Sequence, residues 1–148
     1  MTSELTIHLQ DKRWKSRLSP YCKYVTEICN TVLRERRVSG PVALSIILTD
    51  DKSMAELNHS YRGKNRPTNV LSFPGDGEHL GDIFLAYETI GAEAKAQKKL
   101  VADHTTHLLV HGILHLLGFD HERDDEADKM EAEEIKILKK LCINNPYL

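Results

Sequence analysis

Two hydrophobic periods alternate along the chain. In residues 4–10, Leu5, Ile7 and Leu9 sit between polar neighbours, the two-residue repeat of a strand with one covered face. In residues 20–37, Tyr21, Val25, Ile28 and Val32 recur at helical spacing, and Pro20 suits a first helical position. Ser39-Gly40-Pro41 punctuates the chain, and residues 42–49 form a near-continuous apolar run, as in a strand covered on both faces. Residues 51–60 predict a short helix with an Asp near its start as cap. Residues 61–68 are polar, basic and contain a glycine, which predicts a loop. A strand over 69–73 stops at Pro74-Gly75, and a further strand covers 80–86. Residues 88–99 predict a helix, and 101–117 form the longest apolar-patterned helix, with Gly118 as its left-handed cap. A last, acidic helix runs over about 124–141. About four strands and about five helices predict an α/β or α+β fold, a mixed sheet covered by helices.

At 148 residues the chain predicts a single domain over 1–148, large enough to bury a core without disulfides. The three cysteines, Cys22, Cys29 and Cys142, are odd in number and lack a repeating spacing, so a disulfide framework is not expected. Cys22 and Cys29 are seven apart, share a helix face and are expected to fill the core. No apolar run reaches the length of a membrane span, and the polar start lacks the apolar stretch of a secretion signal. A reducing, cytoplasmic setting fits these features. The net charge of -2 argues against a simple polycationic nucleic-acid binder. Its distribution is uneven: residues 1–74 hold 12 Lys/Arg against 7 Asp/Glu, residues 75–148 hold 8 against 15. A local phosphate-binding surface therefore remains open to this chain.

The chemistry concentrates in His111-Gly-Ile-Leu-His115-Leu-Leu-Gly118-Phe-Asp-His121. His111 and His115 are four apart on the long helix, so both project from one face and can grip one ion. Gly118 lets the chain leave the helix, and Phe119 and Asp120 bring His121 back towards the same point. Three imidazoles suit zinc and leave a fourth position for water, the mark of a catalytic rather than a structural site. One Zn2+ per chain is expected; Ni2+ or another divalent transition metal fits the same donors. His107, one turn before His111, is expected to flank the site. His8, His59, His79 and His104 are expected at the surface or locally bonded. The H-x-x-x-H-x-x-G-x-x-H spacing is shared with metzincin proteases, but the Glu they need after the first His is here Gly112.

These residues resemble the signature of the YbeY family of bacterial endoribonucleases. His111, Gly112, Leu114, His115, Leu116, Gly118, Phe119, Asp120 and His121 all match it. Further matches are Tyr61-Arg62-Gly63 with the stretch from Pro67 to Pro74, Leu80-Gly81-Asp82-Ile83, and Asp124-Asp125-Glu126 with Met130-Glu131 behind. The resemblance spans the chain from about residue 40 onward. It implies an α/β fold, a zinc-like ion on His111, His115 and His121, and hydrolysis of single-stranded RNA. It implies a role in ribosomal RNA processing, including maturation of the 16S rRNA 3′ end, and in ribosome quality control. The implied partners are precursor ribosomal RNA and the ribosome or its small-subunit proteins, with no membrane and no DNA. Arg62 and His111 are the implied catalytic residues, Arg62 standing outside the metal shell.

Residue chemistry agrees with that implication. RNA cleavage builds negative charge on a phosphoryl oxygen, which a metal and a guanidinium both stabilise. Arg62 lies with Lys64 and Arg66 in one short stretch, whose plainer reading is a solvated loop. Asp120 either accepts from a ligand imidazole or fixes the turn before His121. Asp82 bonds either backbone or substrate. The acidic stretch 124–134 reads as a solvated face. Tyr61 and Phe73 could stack bases, with core packing the stronger expectation for Phe73. Two other functions stay open: a ribosome-associated RNA-binding factor with a structural metal, and a zinc metallopeptidase-like hydrolase. A structural site is normally closed by a fourth protein ligand, and no Cys or spare His follows His121 closely.

Overall fold

The computed structural model describes residues 4–63 and 68–148, apart from the side chain of Arg62. In chain order the elements are β1 (Glu4–Leu9), α1 (Trp14–Arg17), α2 (Tyr21–Glu35), β2 (Ala43–Thr49) and α3 (Asp51–Arg62). Then follow β3 (Val70–Pro74), β4 (His79–Ala86), α4 (Tyr87–Ala96), α5 (Val101–Leu116) and α6 (Asp124–Lys140). The strands form one mixed sheet in the order β1-β2-β4-β3. β1, β2 and β4 are parallel, and β3 runs antiparallel to β4 at the edge. The architecture is therefore the expected α/β layer, with four strands and six helices among the described residues.

The apolar run of β2 is explained by its place. It pairs on both sides, with Ile46 opposite Ile7 of β1 and Ile83 of β4, so both its backbone edges are satisfied and both faces are covered. Strand alternation then splits the side chains. Leu44, Ile46, Leu48, Ile83 and Leu85 enter the main core with residues of α2, α5 and α6. Leu71 and Ala86 point the other way and bury against Met54 of α3, with Phe73 and Phe84 packed at their side.

The local signals mostly hold at the element ends. Asp50 caps α3 through its Oδ1, which accepts from the Ser53 amide at 2.8 Å. α3 runs on to Arg62 and closes on Gly63 at φ 69°, so the segment expected as a loop from residue 61 begins later. Pro20 is the residue before the first turn of α2 rather than within it. The four-residue α1 has no periodic signature of its own. It is fixed by Trp14, fully buried, whose Nε1–H donates to the Thr49 carbonyl at 2.9 Å. Tyr87 meets that indole edge-on at 5.5 Å, and the Arg17 guanidinium lies 3.3 Å over the Tyr87 ring.

The two spaced cysteines part company. Cys29 is 1% exposed in the core, and burial pushes its thiol up to about 12. Cys22 is exposed, contrary to expectation. It lines a groove of about 630 Å³ between α2 and the end of α6, while Tyr24 of the same turn packs against α5.

Candidate metal centre

α5 crosses the sheet closely enough to set the site's position. A Cβ on Gly112 would lie 3.0 Å from Ser72 Oγ and 3.3 Å from two methyl carbons of Ile83. Ser72 also donates to the Gly112 carbonyl at 3.3 Å. Position 112 therefore faces the sheet, and the peptidase glutamate would have no room there. Residue 112 is glycine for contact as much as for chemistry.

The last two turns of α5 carry His111 and His115. Gly118, at φ 104°, reverses the chain, and the Phe119 amide returns to the Leu114 carbonyl at 3.1 Å. Asp120 Oδ1 accepts from the His121 amide at 2.7 Å. That contact is the one the turn-fixing reading of Asp120 requires. His121 thereby returns over the helix, its ring centroid 5.4 Å from His111 and 6.1 Å from His115. The planes are within 18° and 27° of parallel. Two imidazoles sharing one tetrahedral zinc hold their centroids about 5 Å apart. The first pair has that spacing and the second is wider. Among the described residues, no group of three His, Cys, Asp or Glu side chains is arranged, as it stands, to hold one metal ion. The donor types still suit a zinc-class ion, because three neighbouring imidazoles offer neutral nitrogen ligands.

Across this cluster lies a carboxylate that was expected in solvent. Glu134 of α6 is 1% exposed. Its Oε2 lies 2.8 Å from His111 Nδ1, and its Oε1 lies 2.7 Å from His107 Nε2 and accepts from the Tyr147 hydroxyl at 2.5 Å. Burial alone would raise its carboxyl, but hydrogen bonds from His107, His111 and Tyr147 outweigh it and hold the group at about 2. Burial and the adjacent Glu134 push the Tyr147 phenol well above its usual value. His111, His121, Met130, Glu131, Glu134 and Tyr147 line a cavity of about 230 Å³. The signal for Glu134 was present in the sequence. Met130, Glu134, Ile137 and Leu138 form one buried stripe of α6, with a carboxylate in its middle.

The remaining singled-out residues divide clearly. His107 flanks the site as expected, through Glu134. His104 is buried, not superficial, because α4 covers it: its Nε2 lies 2.9 Å from Glu93 Oε1, which also accepts from Asn69 Nδ2 at 3.0 Å. His8 and His59 are exposed. Asp82 Oδ1 lies 3.0 Å from His79 Nε2. Phe73 packs, with its centroid 5.7 Å from Phe84 and 5.1 Å from Tyr61, which is 69% exposed. Arg62 ends α3, and its side chain lies outside the described residues, as do Lys64 and Arg66.

The family model described as Endoribonuclease YbeY matches residues 6–142. Endoribonuclease YbeY of Bartonella quintana (strain Toulouse) is 44% identical over 152 residues, covering 97% of this chain and 96% of its own. That of Chelativorans sp. (strain BNC1) is 50% identical over 121 residues, covering 75% of this chain and 74% of its own. The solution structure of TM1509 from Thermotoga maritima superposes with a TM-score of 0.59 over 93% of this chain and 91% of that one. Its 24% identity speaks for the fold.

Proposed function

The chain belongs to the YbeY family, and from that premise we propose that it is a metal-dependent endoribonuclease acting on single-stranded RNA. The observation that carries the metal reading is the return of His121 over His111 and His115, beside an open cavity. The kinship with proteins described as Endoribonuclease YbeY supports RNA as substrate. The tight packing at Gly112 speaks against a peptidase of the glutamate-base type.

In this reading His111, His115 and His121 hold one zinc-class ion. Such an ion, when bound, supplies a Lewis acid for the charge that grows on a phosphoryl oxygen. Arg62 supplies a planar guanidinium to the same phosphate, where two parallel hydrogen bonds give more than a point charge. Lys64 and Arg66 add affinity for the backbone of the strand. The physiological substrate is precursor ribosomal RNA, including the 3′ end of 16S rRNA, with the ribosome as partner and the cytoplasm as setting.

The test is single-turnover cleavage of single-stranded and duplex RNA, with casein as a control and metal content measured on each protein. His115→Ala should lose most of the ion and the cleavage with it. Arg62→Ala should keep ion and fold but cleave about a hundredfold more slowly or worse. Full cleavage by chelated protein, or cleavage of casein in place of RNA, would refute the assignment.

A further inference from the structure

α5 offers more than one way to seat an ion. His107 and His111 are four apart, as are His111 and His115, so each pair presents a helical two-histidine grip. Helical spacing alone does not choose between them. The structure places one buried carboxylate against two of the three. Glu134 reaches His111 at Nδ1 but His107 at Nε2.

An ionised carboxylate only accepts, so each contacting ring nitrogen must carry the proton. The two histidines are thereby given opposite tautomers. His111 keeps its lone pair on Nε2, on the far side of the ring from Glu134. His107 keeps its lone pair on Nδ1, which is buried and has no hydrogen-bond partner among the described residues. Tyr147 fills the remaining capacity of Oε1, and both carboxylate oxygens are engaged by protein donors.

We propose that Glu134 is a positioning residue that selects the register of the metal on α5, presenting His111 Nε2 to the ion and withdrawing His107. This rests on the three-histidine reading given above. A carboxylate behind a ligand imidazole also raises its basicity and fixes its ring plane, and losing such a partner costs about 10–100-fold in metal affinity.

Two measurements test it. Long-range proton–nitrogen correlation spectra of the metal-free wild type should show His111 protonated at Nδ1 and His107 at Nε2. Zinc affinity, read by competition with a chromophoric chelator, should fall about 10–100-fold in Glu134→Gln and by less in Tyr147→Phe, which keeps the His111 contact. A His111 proton on Nε2 would overturn the proposal, and so would a folded Glu134→Gln that binds zinc as tightly as wild type. Should Glu134→Gln fail to fold, the wild-type tautomers decide. Wild type that binds no zinc removes the three-histidine reading and this inference together; wild type and Glu134→Gln binding equally removes this inference alone.

Discussion

The two faces of the sheet are built to different depths. One face lies under α2, α5 and α6 and joins a cluster that includes Ile46, Ile83, Leu109, Ile113 and Met130, all 1% exposed or less. The other is covered by α3 through a small cluster of Met54, Leu71 and Ala86, with Phe73 and Phe84 only partly buried. The histidine cluster belongs to the deep face, on the helix with the most extensive buried surface. Arg62, the expected phosphate contact, ends the helix of the thin face. A metal centre needs ligand geometry held tightly, which a deep core supplies.

The largest effect should come from forcing a side chain between α5 and the sheet. Gly112→Glu would press a carboxylate into the 3.0 Å approach to Ser72 and should cost about 3 kcal/mol or more, read by denaturant unfolding. A near-neutral result would show that α5 is not seated as tightly as the deep face requires. Next, Ile113→Ala on the deep face should cost about 2–5 kcal/mol. Phe84→Ala on the thin face should cost about 1–2 kcal/mol, since only part of its ring leaves water. Equal losses would erase the contrast. Ser72→Ala removes a long hydrogen bond to a carbonyl within α5 and should cost only about 0.5 kcal/mol in the same assay.

The smallest effect concerns thiols. Native protein at neutral pH should label quickly at Cys22 and Cys142, with Cys29 reacting only on unfolding. In the unfolded chain a thiol loses its proton at about 8.5, whereas burial holds Cys29 up to about 12. The unfolded state therefore binds fewer protons across that window. The contribution of the neutral thiol is complete below the lower value and is lost as pH rises through the higher one. Cys29→Ala should flatten that alkaline loss, and an unchanged pH profile would locate its cause elsewhere.

What the sequence disclosed follows from the range of each interaction. The shared helix face of His111 and His115, the break at Gly118 and the return of His121 all lie within eleven residues, where helical period and turn chemistry dictate geometry. β2 was legible because burial on both faces leaves an unbroken apolar run. Glu134 was read as solvated because charge in an acidic helix is ordinarily exposed. Its true setting depends on α6 docking across α5, 23 residues from His111. Only its place in the Met130–Leu138 stripe betrayed it. Cys22 departs in the opposite sense: it shares a turn with the packed Tyr21 and Tyr24 but opens into the groove beside the end of α6. α1 escaped notice because four residues are too few to show a period.

Trp14 also makes the molecule its own optical instrument. It is the single tryptophan of the chain, fully buried, with its N–H committed to a β2 carbonyl and its ring edge against Tyr87. An indole in those surroundings fluoresces from a site sealed against water, and any event that parts α1 from the end of β2 brings solvent dipoles to it. Emission should shift to longer wavelength as the main core opens. Every stability comparison above can thus be followed on unlabelled protein, from one chromophore seated where three elements meet.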